Sequence, residues 1–247
     1  MFNSPILLFS DFNQLLGLDS TNYRANTVDL NYDANETLEQ AIRRITDEAE
    51  RLARSGTTLL VLSDRAVAKS AQVIPAAMAV GSVQTRLVDK SLRCDTNIIV
   101  ETASARDPHH FAVLIGFGAT AIYPYLAYES ISAMAKLHQV DDVTHLMLNF
   151  RYGIEKGLRK IMSKMGISTV GSYRCSQQFE AVGLASDVIE LCFKGVISRI
   201  EGVSFNHIAD DQKILHTAAY RAHVPLPQGG LLKYVEGGEY HCFNPDV

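Results

Sequence analysis

The stretch from Thr37 to Leu62 constrains the fold more than any other part of the chain. Leu38, Ala41, Ile42, Ile45, Ala49 and Leu52 recur at intervals of three and four, which lines one face of a helix. Thr37 with Gln40 suits a capping box at its start, and Gly56 stands at its exit. Thr57 to Leu62 then runs as consecutive β-branched and leucine residues and ends in the polar Ser63-Asp64-Arg65. A strand wetted on one side would alternate apolar with polar, so this one is read as buried on both faces. Helix, Gly, doubly buried strand, polar loop is the grammar of a parallel sheet with crossover helices.

The pattern recurs along the chain. Pro75 to Leu92 reads as a helix with Pro75 in its first turn, and Asn97 to Thr102 as a strand that reaches Glu101. His109 to Phe117 reads as a short helix closed by Gly118, and Ala121 to Tyr125 as another strand. Upstream, Pro5 to Phe9 and Thr27 to Tyr32 carry strand signals. Downstream, Ala127 to Leu137 and Val140 to Met165 read as helices, Ile167 to Tyr173 as a strand, and Gln177 to Val182 and Asp187 to Phe193 as helices. Periodicity weakens after Ile200, and Val224 to Gly230 and Glu236 to Glu239 read as loop. The expected organisation is an α/β domain over residues 1–200 and an irregular tail over 201–247. The strand-helix units fall short of the eight that close a barrel, so an open or truncated barrel, or a doubly wound sheet, is expected.

Composition narrows the function. With 247 residues, 47% hydrophobic and 20% charged, the chain can bury a full core and is not a disordered segment. Its net charge is -4 and no basic run breaks that balance, which argues against nucleic acid and anionic membrane as partners. Cys94, Cys175, Cys192 and Cys242 are spaced too irregularly for ligand pairs and are read as reduced thiols of a cytoplasmic protein. Met1 to Ser10 lacks a basic start and meets Asp11 early, so no signal segment is expected. No stretch approaches the roughly 18 apolar residues of a membrane span.

Ser63, Asp64, Arg65 and Glu101 stand at the ends of consecutive strands and so share one rim of a parallel sheet. Such groups either hold a substrate or pair and cap loops, and pairing is favoured. His109 and His110 open a helix but point about 100 degrees apart, so capping or packing outweighs a shared metal. Gly116-Phe-Gly118 follows a helix and precedes a strand, the reverse of a phosphate cradle, and is read as a closing turn. His216, His223 and His241 have no ligand-spaced neighbours and are read as structural. The chain shows no complete catalytic set.

Several segments, taken together and in order, resemble the central domain of the glutamate synthase large subunit. They are Val61-Leu-Ser-Asp-Arg65, Val100-Glu-Thr-Ala103 continuing to His109-His-Phe-Ala112, Leu114-Ile-Gly-Phe-Gly-Ala119, Tyr123-Pro-Tyr-Leu-Ala127, Lys160 to Thr169, and Gln178 to Leu184. Ser198-Arg-Ile200, Gly237 to His241 and Asn244-Pro245 continue the match over nearly the whole chain. The resemblance implies a parent enzyme that hydrolyses glutamine at an N-terminal cysteine and passes ammonia through a tunnel. That enzyme makes glutamate from 2-oxoglutarate in an FMN barrel holding a three-iron, four-sulfur cluster. It further implies that the central domain is a rudimentary, truncated TIM-barrel-like unit joining the two active sites.

On that resemblance the chain alone is expected to be inactive and to hold no cofactor, with FMN and the 3Fe-4S cluster bound by another domain. Its expected partners are the amidotransferase and FMN-binding domains of the same polypeptide. The start at Met1-Phe2 omits the family's catalytic cysteine, no close cysteine triplet exists for a cluster, and the end at Asn244-Pro-Asp-Val247 is read as that of an excised fragment. Lys164, Met165, Ser172, Tyr173 and Arg174 are expected on the rim facing the FMN domain. The chain departs from the family pattern at Gln84-Thr85, Cys175-Ser176 and Glu201. The rival expectation is a stand-alone barrel-like protein binding a small anionic metabolite at a rim formed by Arg65, Glu101 and His109.

Overall fold

In a parallel sheet, side chains alternate between faces and each face needs its own cover. The computed structural model describes residues 4–18, 23–33, 35–68, 71–220, 234–238, 240 and 242–247. Its first half contains α1 (Phe9–Leu16), β1 (Ala25–Asp29), β2 (Asn31–Tyr32), α2 (Leu38–Arg54), β3 (Leu59–Ser63), β4 (Gln72–Val73), α3 (Ala76–Asp89), β5 (Asn97–Glu101), α4 (Pro108–Gly116) and β6 (Ala121–Tyr123). Its second half contains α5 (Tyr125–Leu137), α6 (Val143–Lys164), α7 (Val170–Tyr173), β7 (Glu180–Leu184), α8 (Ser186–Cys192), β8 (Ile197–Val203) and α9 (Phe205–Ala219). No described helix is long and apolar enough to cross a membrane.

The main sheet has the order β1-β3-β5-β6, every neighbouring pair parallel. The fold is therefore α/β with parallel strands joined by crossover helices, as the sequence predicts. Val28, Leu60, Leu62, Ile98, Val100 and Ile122 pack with α2, α3 and α4 in one cluster. The alternate residues Val61, Ile99 and Tyr123 form a second cluster with Leu7, Phe12, Tyr125 and Tyr128. All three crossover helices thus cover one face, so the sheet is singly wound in the manner of a barrel wall, not doubly wound. Next to β6, Ile6 makes a parallel bridge to Ile122. Among the described residues no pairing joins Ile6 to β1, and α1 sends Phe12 onto the inner face, where it stacks on Tyr123 with ring centroids 4.5 Å apart.

Local chemistry sets the boundaries. Thr37 Oγ1 accepts from the Gln40 N–H at 3.3 Å while Gln40 Oε1 accepts from the Thr37 N–H at 2.9 Å, the reciprocal cap expected from their spacing. Gly56 follows at φ 90 and Gly118 at φ 124, values an L side chain rarely adopts, so both glycines turn the chain out of a helix and into a strand. Pro75 stands at the N-cap of α3, one position before the helix itself.

Several elements differ from expectation. Pro5 to Phe9 is extended only around Ile6, because the Asp11 carboxylate accepts the Leu8 N–H at 3.1 Å and starts α1 at Phe9. Ile167 to Tyr173 is not a strand: Ile6 already occupies the edge beside β6, and Thr169 caps a single helical turn through the Ser172 N–H at 3.2 Å. Gln177 to Val182 is not a helix; its end enters β7, which pairs in parallel with β8. The stretch expected to be irregular after Ile200 contains the rest of β8 and all of α9, whose His216 ring lies 3.0 Å from the Ala68 carbonyl oxygen. Phe205 is the one buried residue on α9, which leaves little periodic signal to read. The loop expected over Val224 to Gly230 lies outside the described residues, as do His223, Glu239 and His241.

Packing of α3 on α8 is close enough to test. A Cβ at Gly81 would run into the Cys192 carbonyl oxygen, whereas one at Gly153, on an exposed face of α6, would meet nothing. Gly81→Ala should destabilise the chain by about 1–3 kcal/mol. Gly153→Ala should stabilise it by about 0.5–1 kcal/mol. Urea unfolding of both variants measures the contrast, and equal effects would contradict the packing.

Candidate functional site

Register brings the strand-end residues into one layer. Asp29 lies opposite Ser63, Ser63 opposite Glu101, and Glu101 opposite Tyr123, all at the C-terminal ends of parallel strands. Ser63 Oγ donates to Glu101 Oε2 at 2.6 Å. The Thr102 hydroxyl donates to Asp64 Oδ2 at 2.6 Å, and the Ala103 N–H reaches both Asp64 oxygens at 3.1 Å. Arg65 closes the group: it binds Glu129 at 2.7 Å, lies 3.7 Å from Glu101, and stacks 4.6 Å above the Tyr125 ring. Ser63, Asp64, Arg65 and Glu101 thus lie together at the C-terminal ends of the strands and are engaged with one another and with Thr102, Ala103, Tyr125 and Glu129.

Burial dominates the electrostatics of this rim. It raises the Asp64 carboxyl above its ordinary value, against the lowering effect of the Thr102 and Ala103 hydrogen bonds. Burial likewise raises Glu101, against the Ser63 hydrogen bond and the Arg65 charge. Tyr125 is raised by burial first and by the Asp64 charge second. Beneath the rim, the inner face is filled by aromatic rings. Tyr123 lies 6.1 Å from Tyr128, and Tyr128 meets Phe150 edge-on at 5.7 Å.

The histidines lie apart. Asp107 caps α4 by accepting the N–H groups of His109 at 2.9 Å and His110 at 3.1 Å. The His110 ring returns to Asp107 at 3.4 Å, and the His109 ring stands edge-on to Phe179 at 6.5 Å. Neither makes a hydrogen bond or ion pair with Ser63, Asp64, Arg65 or Glu101 among the described residues. No group of three or more His, Cys, Asp or Glu suited to a metal occurs among those residues.

The 164–174 segment is at the other end of the sheet. Arg174 donates to the Thr120 hydroxyl at 3.0 Å, and Thr120 precedes β6, so Arg174 marks the N-terminal edge of the strands, not the rim of Glu101. Arg93 reaches the same turn through the Gly118 carbonyl at 3.0 Å, and burial, then the Arg174 charge, hold it below the usual guanidinium range. Tyr173, expected at a surface, is 1% exposed and packs in the main core with its hydroxyl unpaired. Around it, Ser172 in α7 and Lys164 and Met165 at the end of α6 are exposed.

Sequence reasoning missed a cavity of about 330 Å³ walled by the aromatic rings of Phe117, Phe179 and Phe193. Gln84, Thr85 and Cys175 line it. Cys192, also in its wall, is buried and its thiol is pushed up to about 12 by that burial.

Fold and rim together define a singly wound α/β unit whose strand-end groups are engaged with one another. The family description "Glutamate synthase central domain" matches residues 1–185. The chain belongs to that family. It is 37% identical over 246 residues to the glutamate synthase [NADPH] large chain of Bacillus subtilis (strain 168), covering 98% of this chain and 16% of that one. It is 34% identical over 260 residues to the ferredoxin-dependent glutamate synthase of Pyropia yezoensis, covering 99% of this chain and 17% of that one. The chain thus spans about a sixth of the length of these relatives. Among solved structures, the flavin-binding domain of baker's yeast flavocytochrome b2 overlays loosely, with TM-score 0.40 and 12% identity over 89% of this chain and 45% of that one.

A raised carboxyl holds its proton more tightly in the folded chain than in the unfolded one. Its contribution is therefore complete at low pH and is lost as pH climbs from the unfolded value through the raised folded value. For Glu101, that decline starts near 4.5 and runs upward. Glu101→Gln removes the titration, so its stability relative to the parent should improve as pH rises above about 4.5 and level off once the folded carboxyl has ionised, as read by urea unfolding. A flat or opposite trend would show that the Arg65 charge outweighs burial.

Proposed function

We propose that this chain is the connecting domain of a glutamate synthase large chain, and that it makes and breaks no bond itself. It holds the glutaminase and FMN-binding domains in register and walls part of the ammonia path between them, in a cytoplasmic enzyme that forms L-glutamate from L-glutamine and 2-oxoglutarate. Residues 1–200 form the connecting body, and residues 201–247 lead towards the FMN domain.

The observation that carries this reading is the occupied interior. A barrel enzyme keeps its strand ends open for substrate. Here Phe12, Tyr123, Tyr125 and Tyr128 pack over the inner face, and Arg65, the rim's cation, is engaged by Glu129, Glu101 and the Tyr125 ring. FMN does not suit these residues: its phosphate would have to displace two carboxylates from Arg65, and its ring would have to displace the aromatic packing. FMN and the 3Fe-4S cluster of the parent enzyme accordingly sit in another domain. A small anionic metabolite meets the same obstacle at Arg65, and His109 is not there to help.

The 247-residue chain should form no glutamate from glutamine and 2-oxoglutarate and should bind no FMN in a fluorescence titration; turnover by the chain alone would end this reading. In the full-length polypeptide, Arg174→Ala removes a charge-assisted hydrogen bond of about 1.5–3 kcal/mol that anchors the 164–174 segment to the sheet edge. Glutamine hydrolysed per glutamate formed should rise in that variant, and an unchanged ratio would speak against a coupling role for this edge.

A further inference from the structure

Parallel strands are characteristically covered on both faces, and a two-stranded ribbon is marginal in water by itself. β7 and β8 form such a ribbon: Glu180 lies opposite Ile197, Val182 opposite Ile200, and Leu184 opposite Val203. Neither strand has a second strand beside it among the described residues. Val182, Ile197 and Ile200 are 68%, 60% and 60% exposed, and Val203 continues the row at 38%. Of the ribbon's charged side chains, Arg199 lies 3.7 Å from Glu180, and Glu201 is exposed. Beside these charges runs an uncovered aliphatic row, the kind of patch that marks an interaction face.

The position of the ribbon in the chain says what covers it. The central-domain description ends at residue 185, one residue past β7, while the likeness to the large chains continues over 98% of the sequence. β8 therefore pairs the last strand inside the described domain with the first strand beyond it. The Bacillus relative, of which this stretch matches 16%, has most of its polypeptide left over to lie against such a junction.

We propose that a neighbouring domain of the same large polypeptide covers the β7–β8 ribbon with an aliphatic, uncharged face seated on Val182, Ile197 and Ile200. The proposal rests on the reading of the chain as a connecting domain and adds where one of its contacts lies. Because the row itself is uncharged, the contact on it is made by burial and shape.

The test uses the full-length polypeptide carrying Ile200→Cys or, as a second variant in case the first folds poorly, Val182→Cys. Maleimide labelling of each site is followed by mass spectrometry of its peptide, with the urea-unfolded polypeptide as reference. A covered site should label at least about tenfold more slowly than in the unfolded reference, at every protein concentration tried. Labelling at close to the unfolded rate would overturn the proposal. So would protection that disappears on dilution, because it would assign the cover to a second copy. The Arg174→Ala coupling assay separates this failure from failure of the connecting role: slow labelling with unchanged coupling retains the covered ribbon and removes that role, while free labelling with altered coupling does the reverse.

Discussion

Covering the inner face of a parallel sheet is an obligation, and the means by which a chain meets it decide what the sheet can be used for. Here the cover is supplied from the sheet's own flanks: α1 sends Phe12 onto Tyr123, α5 supplies Tyr125 and Tyr128, and α6 packs Met147 and Phe150 against them. Each large buried side chain contributes roughly 1.5–3 kcal/mol, so this aromatic layer is a substantial share of the stability of a unit with only four main-sheet strands. Opening it to admit a substrate would forfeit that share.

The two ends of the sheet have opposite chemistry. At the C-terminal end, carboxylates predominate, and Asp64 and Glu101 are held by hydroxyls, a backbone amide and one arginine. At the N-terminal end, Arg93 and Arg174 both reach the 118–120 turn through oxygen atoms, Arg93 to the Gly118 carbonyl and Arg174 to the Thr120 hydroxyl. Removing one partner from either group would leave a polar or charged neighbour without its bond, which costs more than the bond itself contributed. Both ends are therefore fixed in shape, which suits the proposed connecting role.

Much of the main sheet was legible because its signals are local. The Thr37-Gln40 cap, the doubly buried run ending at Ser63 and the glycine exits at Gly56 and Gly118 each follow from a few adjacent residues. Placement of Ser63, Asp64, Arg65 and Glu101 on one rim followed from strand order alone. What failed depended on distant partners. Ile167 to Tyr173 has strand composition, but the edge it would join is taken by Ile6, and no local signal reports that. Tyr173 was mistaken for a surface residue for the same reason: its burial comes from the core it folds back upon. The cavity walled by Phe117, Phe179 and Phe193 draws on four separate segments and has no sequence spacing to betray it.

The helices on either side of β8 have a consequence for how the chain meets its surroundings. α8 leads into the strand with Val188 and Cys192 locked in the core, and α9 leads out of it with Phe205 buried at its start and His216 against the Ala68 carbonyl at its far end. A strip of backbone held at both ends has few conformations left to surrender. Much of the ordering entropy that usually opposes association is thus spent during folding, which lowers the cost of the contact proposed there.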